Sequence, residues 1–166
     1  MVDNGKFETE FEKVDSGASD AVPISVSDVK KGTHIVMGDN RPCKVMEIST
    51  SKTGKHGHAK ANIVGIDIFN GKKYQDVCPV SHSKEAPNIK REEWTVMSVD
   101  EEEYVALVDK NGNMRQDLRL PKDSEDDVEV SKRITDGLEA GKTIIVTVLS
   151  AMKIEKIEEA KESLEN

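Results

Sequence analysis

Short apolar runs divided by turn residues commit this chain to β-structure from Pro23 onward. Thr33-His34-Ile35-Val36-Met37 predicts a strand, and Gly38-Asp39-Asn40-Arg41-Pro42 supplies the turn chemistry after it. Cys43 to Ile48 reads as a second strand, and Ala61 to Phe69, rich in Ile and Val, as a third. Asn70-Gly71 is then a hairpin signal, because a type I′ turn needs positive φ at both central residues. Lys72 to Val80 completes the set, and Val26 and Val29 mark a segment with room for one helical turn. These strands fit a small SH3-like barrel.

Farther along, Trp94 to Val99, Tyr104 to Val108 and Met114 to Pro121 read as strands, with an Asn111-Gly112 turn before the last. Ser124-Glu125-Asp126-Asp127 places acids at a helix N-terminus, where the macrodipole favours them. Val130, Ile134 and Leu138 give that helix one apolar stripe, and Gly141 ends it. Thr143 to Leu149 reads as a buried strand, and Ile154, Ile157 and Leu164 as one face of a C-terminal helix. Strands, a helix and a long strand in this order resemble a five-stranded Greek-key barrel of the OB type. The expected architecture is mainly β: two small barrels, an SH3-like domain at 21–88 and an OB-fold domain with a C-terminal helix at 89–166. Residues 1–20, acidic and without sustained periodicity, are expected to be a disordered tail.

Charge divides along the same line. Residues 1–20 carry two Lys and six acids, residues 21–91 twelve Lys/Arg and six acids, and residues 92–166 ten and twenty. The middle segment is therefore +6 in a chain whose formal total is −8. Such asymmetry favours separate units, one of them facing a polyanion. The break falls near Glu85-Ala86-Pro87-Asn88-Ile89-Lys90-Arg91. Within the basic part, Ser49 to Lys60 holds three lysines and two histidines with no acid, no aromatic and no aliphatic side chain larger than Ala. It cannot build a core, so it reads as a long hairpin tip between two strands. Lys55 stands at its centre, in Gly54-Lys55-His56-Gly57, where backbone freedom is greatest.

Enzyme chemistry finds little support. A P-loop needs a Gly five positions before its Gly-Lys pair and Ser or Thr after the Lys; here those places hold Ser49 and His56. His56 and His58 lack further ligands at zinc-site spacing, so no metal is expected. Cys43 and Cys78 form no CxxC pair and read as small core hydrophobes in a reducing compartment. No apolar run approaches the roughly 20 residues of a membrane span, and the expectation is a soluble, cytoplasmic protein that is not an enzyme. A cationic tip suits a phosphate backbone instead, with Lys52 and Lys60 as expected contacts. Arg41 and Lys44 are further candidates, for which plain solvation is an equal reading.

The segment Ser49 to Lys60 resembles the signature of the eukaryotic translation initiation factor 5A family. The likeness extends through Gly38 to Cys43, Val64 to Phe69 with Gly71 to Tyr74, Pro87 to Arg91, Asp117 to Pro121 and Thr147 to Met152, and departs at the tail, at Trp94 and after Met152. It implies the two barrels read above and the conversion of Lys55 to hypusine. Deoxyhypusine synthase adds an aminobutyl group from spermidine, using NAD, and deoxyhypusine hydroxylase adds a hydroxyl. No cofactor stays bound. Lys52, Gly54, His56, Gly57, His58 and Lys60 match the family's loop around the modified lysine. The resemblance further implies binding to the large ribosomal subunit and its rRNA beside peptidyl-tRNA. It implies relief of stalling at consecutive prolines and help in termination. The alternative is a generic RNA-binding or chaperone module acting through the charge of the 49–60 hairpin alone.

Overall fold

Alternation along one strand shows how the first part of the chain is built. In the computed structural model, which describes residues 20–52 and 58–164, Ala61, Ile63, Gly65 and Asp67 are buried while their neighbours are exposed or half-buried. These residues lie in β4 (Ala59–Asp67), a central strand of a four-stranded antiparallel sheet. Its companions are β2 (His34–Met37), β3 (Arg41–Lys52) and β5 (Lys73–Pro79), in the order β2-β3-β4-β5. The inward residues gather Val26, Val29, Ile35, Met37, Cys43, Val45, Ala61 and Ile63 into one core. Gly65 admits Met37 to it, because a Cβ there would stand 2.6 Å from the Met37 sulfur. A second ladder joins β1 (Ala21–Ser25) to β6 (Ser83–Pro87), a pairing the sequence reading did not anticipate. Between β1 and β2 the expected helical turn is present as a 3-10 turn, Val26–Asp28.

By contacts the chain forms two units. One takes in the described residues up to Asp67 with Lys73–Asn88, the other Ile68–Lys72 with Ile89 onward. The second unit is a five-stranded sheet, β11-β10-β7-β8-β9, with one helix. Its strands are β7 (Lys90–Val99), β8 (Tyr104–Val108), β9 (Met114–Arg119), β10 (Ile144–Ala151) and β11 (Ile154–Glu162). The helix α1 (Glu125–Glu139) separates β9 from β10. Arg115 of β9 reaches Glu155 of β11 at 2.5 Å, joining the two ends of the sheet in the manner of an OB barrel. The same guanidinium binds Asp117 and lies 5.6 Å from the Trp94 ring centroid. The mainly β, two-barrel expectation holds.

Helix α1 obeys local chemistry at both ends. Ser124 Oγ accepts from the Asp127 amide at 3.1 Å. At the other end Lys142 N donates to Gly137 O and Gly141 N to Leu138 O, with Gly141 at φ +76°. That pair of bonds is a Schellman closure, which needs a left-handed residue where Gly141 stands.

Among the described residues the expected C-terminal helix is instead a strand, since Ile154–Glu162 is β11, paired with β10. Its buried residues Ile157 and Ala160 are three apart, which mimics a helical repeat. The cause is a β-bulge: Thr147 pairs with Glu159 but Val148 pairs with Ile157, so Glu158 is the extra residue and the inward phase slips there. The Asn70-Gly71 turn is also not type I′. Gly71 alone has positive φ (+76°), and Asn70 Oδ1 instead accepts from the Lys72 amide at 2.9 Å, an Asx-type closure of a longer connection. The acidic tail, apart from Asp20, lies outside the described residues.

Burial also settles the thiols. Cys43 is free and fully buried; desolvation, with Asp67 nearby, pushes it up to about 11. Cys78 is free, partly exposed, and shifted upward by burial to a lesser degree. At pH 8 in native buffer, thiol titration with a disulfide reagent is expected to consume only Cys78, slowly, and Cys43 only after denaturant. Rapid native modification of Cys43 would contradict this core.

Candidate functional site: the β3–β4 hairpin arm

Strands β3 and β4 stay paired beyond the point where the core ends. The ladder continues from Ile48↔Ile63 through Ser49↔Asn62, Thr50↔Ala61 and Ser51↔Lys60 to Lys52↔Ala59. On β4 the last buried residue toward the tip is Ala61, and on β3 Ser49, Thr50, Ser51 and Lys52 are all exposed. The hairpin therefore runs two residues, about 7 Å, past its last core side chain on β4. Strand β5 pairs with β4 as far as Lys60↔Pro79, and Val80 N then donates to Ala59 O at 3.0 Å, so the chain after β5 flanks β4 to the end of the described arm. Nearer the core, Gln75 Nε2 donates to Asn62 Oδ1 at 3.0 Å. No apolar residue in the arm has a core to join. Its small hydroxyl residues keep β-pairing without burying anything.

The expected site residues divide in two groups. Lys52 ends β3, His58 immediately precedes β4, and Lys60 lies within β4; all three are exposed and come together at the end of the arm. Gly54, Lys55, His56 and Gly57 lie outside the described residues, in the segment that this arm carries. Lys52 and Lys60 have no ion-pair partner among the described residues, so both cations remain available to an anion.

Arg41 belongs elsewhere. Its Nε sits 2.5 Å from Asp67 Oδ2, and the Asp67 side chain is wholly buried. The hydrogen bond to Asp67 raises the guanidinium's affinity for its proton. A guanidinium committed to a buried carboxylate is a structural group, and Arg41 is removed from the phosphate contacts. Lys44 stays exposed and unpaired among the described residues. Lys73, which is not among the phosphate contacts expected from sequence, shares its row across the sheet through Ile66. The signal that would have found it is strand parity, which requires the register.

Comparison with known proteins agrees with this geometry. Residues 19–82 match the family described as "Translation initiation factor 5A-like, N-terminal", and residues 88–161 match "Eukaryotic elongation factor 5A hypusine, DNA-binding OB fold". The chain is 48% identical over 145 residues to eukaryotic translation initiation factor 5A of Zea mays, covering 87% of this chain and 88% of the relative. It is 46% identical over 145 residues to factor 5A-1 of Solanum lycopersicum, with the same coverage. A solved structure of an eIF-5A family protein from Naegleria fowleri superposes with a TM-score of 0.78 at 47% identity, covering 86% of this chain and 99% of that one. The factor from Methanococcus jannaschii gives 0.62 at 29% identity, over 86% and 96%. With both units matched and the hairpin arm placed as described, the chain belongs to the eukaryotic translation initiation factor 5A family and is a translation factor.

Proposed function

We propose that this factor binds the ribosome beside peptidyl-tRNA and promotes peptide-bond formation at stalling sequences such as consecutive prolines. We further propose that it acts through hypusine at Lys55 and also assists termination. The observation that carries the reading is the arm itself: an acid-free hairpin that outruns its own core and ends in cations with no described partner. Lys52, Gly54, His56, Gly57, His58 and Lys60 form the loop that presents the modified residue. Deoxyhypusine synthase, with spermidine as donor, and deoxyhypusine hydroxylase are the proposed modifying partners. The cytoplasm is the proposed site of action; no described helix is long and apolar enough to cross a membrane.

The chemistry asked of the protein is positioning. Hypusine adds a second amine beyond the first, and both are protonated at neutral pH given an ordinary lysine value of about 10.4. At ~1.5 Å per bond the extended side chain reaches on the order of 10 Å. Peptidyl transfer depends on alignment, and misplacement of the reactants is costly in rate. A thin cationic finger can hold the acceptor end of peptidyl-tRNA in productive geometry without supplying an acid, base or nucleophile. Proline, a constrained and poorly reactive substrate, gains most from being held.

Intact mass of the protein from its native source is expected to show one hypusine, mapped by peptide analysis to Lys55. In a reconstituted translation system the modified protein should relieve pausing on a polyproline message, and the unmodified protein should not. Equal activity of the two forms would leave the generic RNA-binding alternative in possession.

A further inference from the structure

Apart from Lys84, which pairs with Asp76, the described lysines of the first unit carry no ion pair among the described residues, whereas most of those in the second unit do. In the second unit Arg91 sits on Glu158, Arg115 on Asp117 and Glu155, Lys142 on Glu162 and Lys156 on Asp127. In the first unit Lys44, Lys60 and Lys73 are exposed and carry no ion pair among the described residues. Strand register puts these three on one surface. Lys44 pairs with Ile66, and Ile66 with Lys73, so one row across β3, β4 and β5 has a lysine on each side. Paired residues share a face, and the buried residues of β4 are the odd-numbered ones, so this row faces outward.

Six residues along β4 the same face reaches Lys60, which pairs with Ser51 and Pro79. The intervening rows carry the Asn62–Gln75 amide pair and a single acid, Glu47, opposite Val64. Lys44 and Lys73 are two strand spacings apart, about 10 Å, and Lys60 lies about 20 Å away along the sheet. Ser49, Asn62 and Gln75 lie between, together with Val64 and the exposed Val77, and β3 and β4 lead directly from there into the hairpin arm.

We propose that this outward face of the β2–β5 sheet is an RNA-backbone contact surface, with Lys44 and Lys73 anchoring one end and Lys60 the other. It would work together with the hairpin tip but be distinct from it. The occupant is a polyanion because the face presents spaced, solvated cations and almost no acid, in a chain that is acidic overall. RNA is favoured over an acidic protein because the face sets amide and hydroxyl donors between its lysines, and its apolar side chains there, Val64 and Val77, are aliphatic and not aromatic anchors. The proposal rests on the ribosome-binding reading above and names a surface that reading does not require. Lys44 and Lys73 hold the factor, while the tip acts on its target.

The test uses full-length, hypusinated protein and purified ribosomes, with modification verified by intact mass for every variant. Lys44→Ala/Lys73→Ala is expected to lower the slope of log affinity against log salt by about 1.5, since each lost phosphate contact removes roughly 0.7–0.9. Lys44→Glu/Lys73→Glu should weaken binding at least tenfold at moderate salt. Lys110→Glu/Lys132→Glu changes net charge equally in the second unit and should leave affinity within twofold. Unchanged affinity and slope for the Lys44/Lys73 variants would overturn the proposal. So would a defect confined to their modification, which would assign the face to an acidic protein partner. If the wild-type hypusinated chain itself fails to bind ribosomes, the ribosome-binding reading fails first and this one with it.

Discussion

Lys55→Arg is expected to abolish polyproline rescue while leaving the fold and the charge of the unmodified chain as they are. Arginine keeps one positive charge but offers no primary amine on which an aminobutyl extension can be built. The variant therefore lacks the second amine and the additional reach. The two competing readings diverge at this substitution. A generic RNA-binding hairpin depends on the number of cations, and replacing one cation with another should keep its affinity for bulk RNA within about twofold. A factor that aligns a reacting end depends on where the charge sits, and misplacement by ~1 Å costs on the order of 100-fold in rate. The expected result is a loss of about 10- to 100-fold in the rate of peptide-bond formation at a polyproline stall. Bulk RNA affinity and the denaturation midpoint should match those of the unmodified wild-type chain. Lys55→Arg protein that still relieves the stall would remove the basis of the proposed mechanism.

The largest expected effect on stability comes from a buried ion pair in the second unit. Asp127, 3% exposed, lies in the first turn of α1, and its Oδ1 accepts from Lys156 Nζ at 2.8 Å. The same ammonium donates to Phe69 O at 2.8 Å, and Asp127 Oδ2 accepts from the Asp123 amide at 3.0 Å. One lysine thus satisfies a carboxylate and a carbonyl that hold α1, β11 and residues 68–72 of this unit together. Lys156→Met keeps the length of the stem and removes only the ammonium. Breaking a buried pair by removing one partner typically costs about 3–5 kcal/mol. Here the helix N-terminus and the Asp123 amide still stabilise the carboxylate, so a loss of about 3 kcal/mol is expected. Asp127→Asn in the Lys156→Met background should recover a large part of it, because the residue left behind is then neutral. Trp94 is the single tryptophan of the chain and belongs to this unit, so its fluorescence in a urea titration reports the loss where it occurs. A denaturation midpoint indistinguishable from wild type for Lys156→Met would show that the pair contributes nothing.

The parts of the molecule that could be read from sequence are those whose cause is local. Ser124 followed by acids, the stripe at Val130 and Ile134, and Gly141 each act within a turn or two of backbone. The helix they predicted is present with the expected cap at each end. The hairpin arm was legible for a related reason. Residues 49–60 have no aromatic and no aliphatic side chain larger than Ala, so they had little to contribute to a core in any tertiary arrangement. Chemistry that depends on what a segment cannot do survives without knowledge of the fold.

What only the tertiary structure decided involves partners far away along the chain. Strand β11 was misread because a bulge at Glu158 shifts its inward phase, and because it turns out of β10 at Met152 and Lys153. Both of those residues hold positive φ without being Gly or Asn, so the turn left no trace in composition. Arg41 looked like a spare cation until Asp67, twenty-six positions on, was found buried against it. The pairing of Lys44 with Lys73 across Ile66 likewise exists only once three strands are in register, with the bulge near Met46 setting which residues of β3 face outward. Local chemistry determines which segments are turns, caps and solvated arms. Which side chains share a face, and which charges are already spent on one another, is settled by the energetics of packing distant strands together, and no window of sequence contains that.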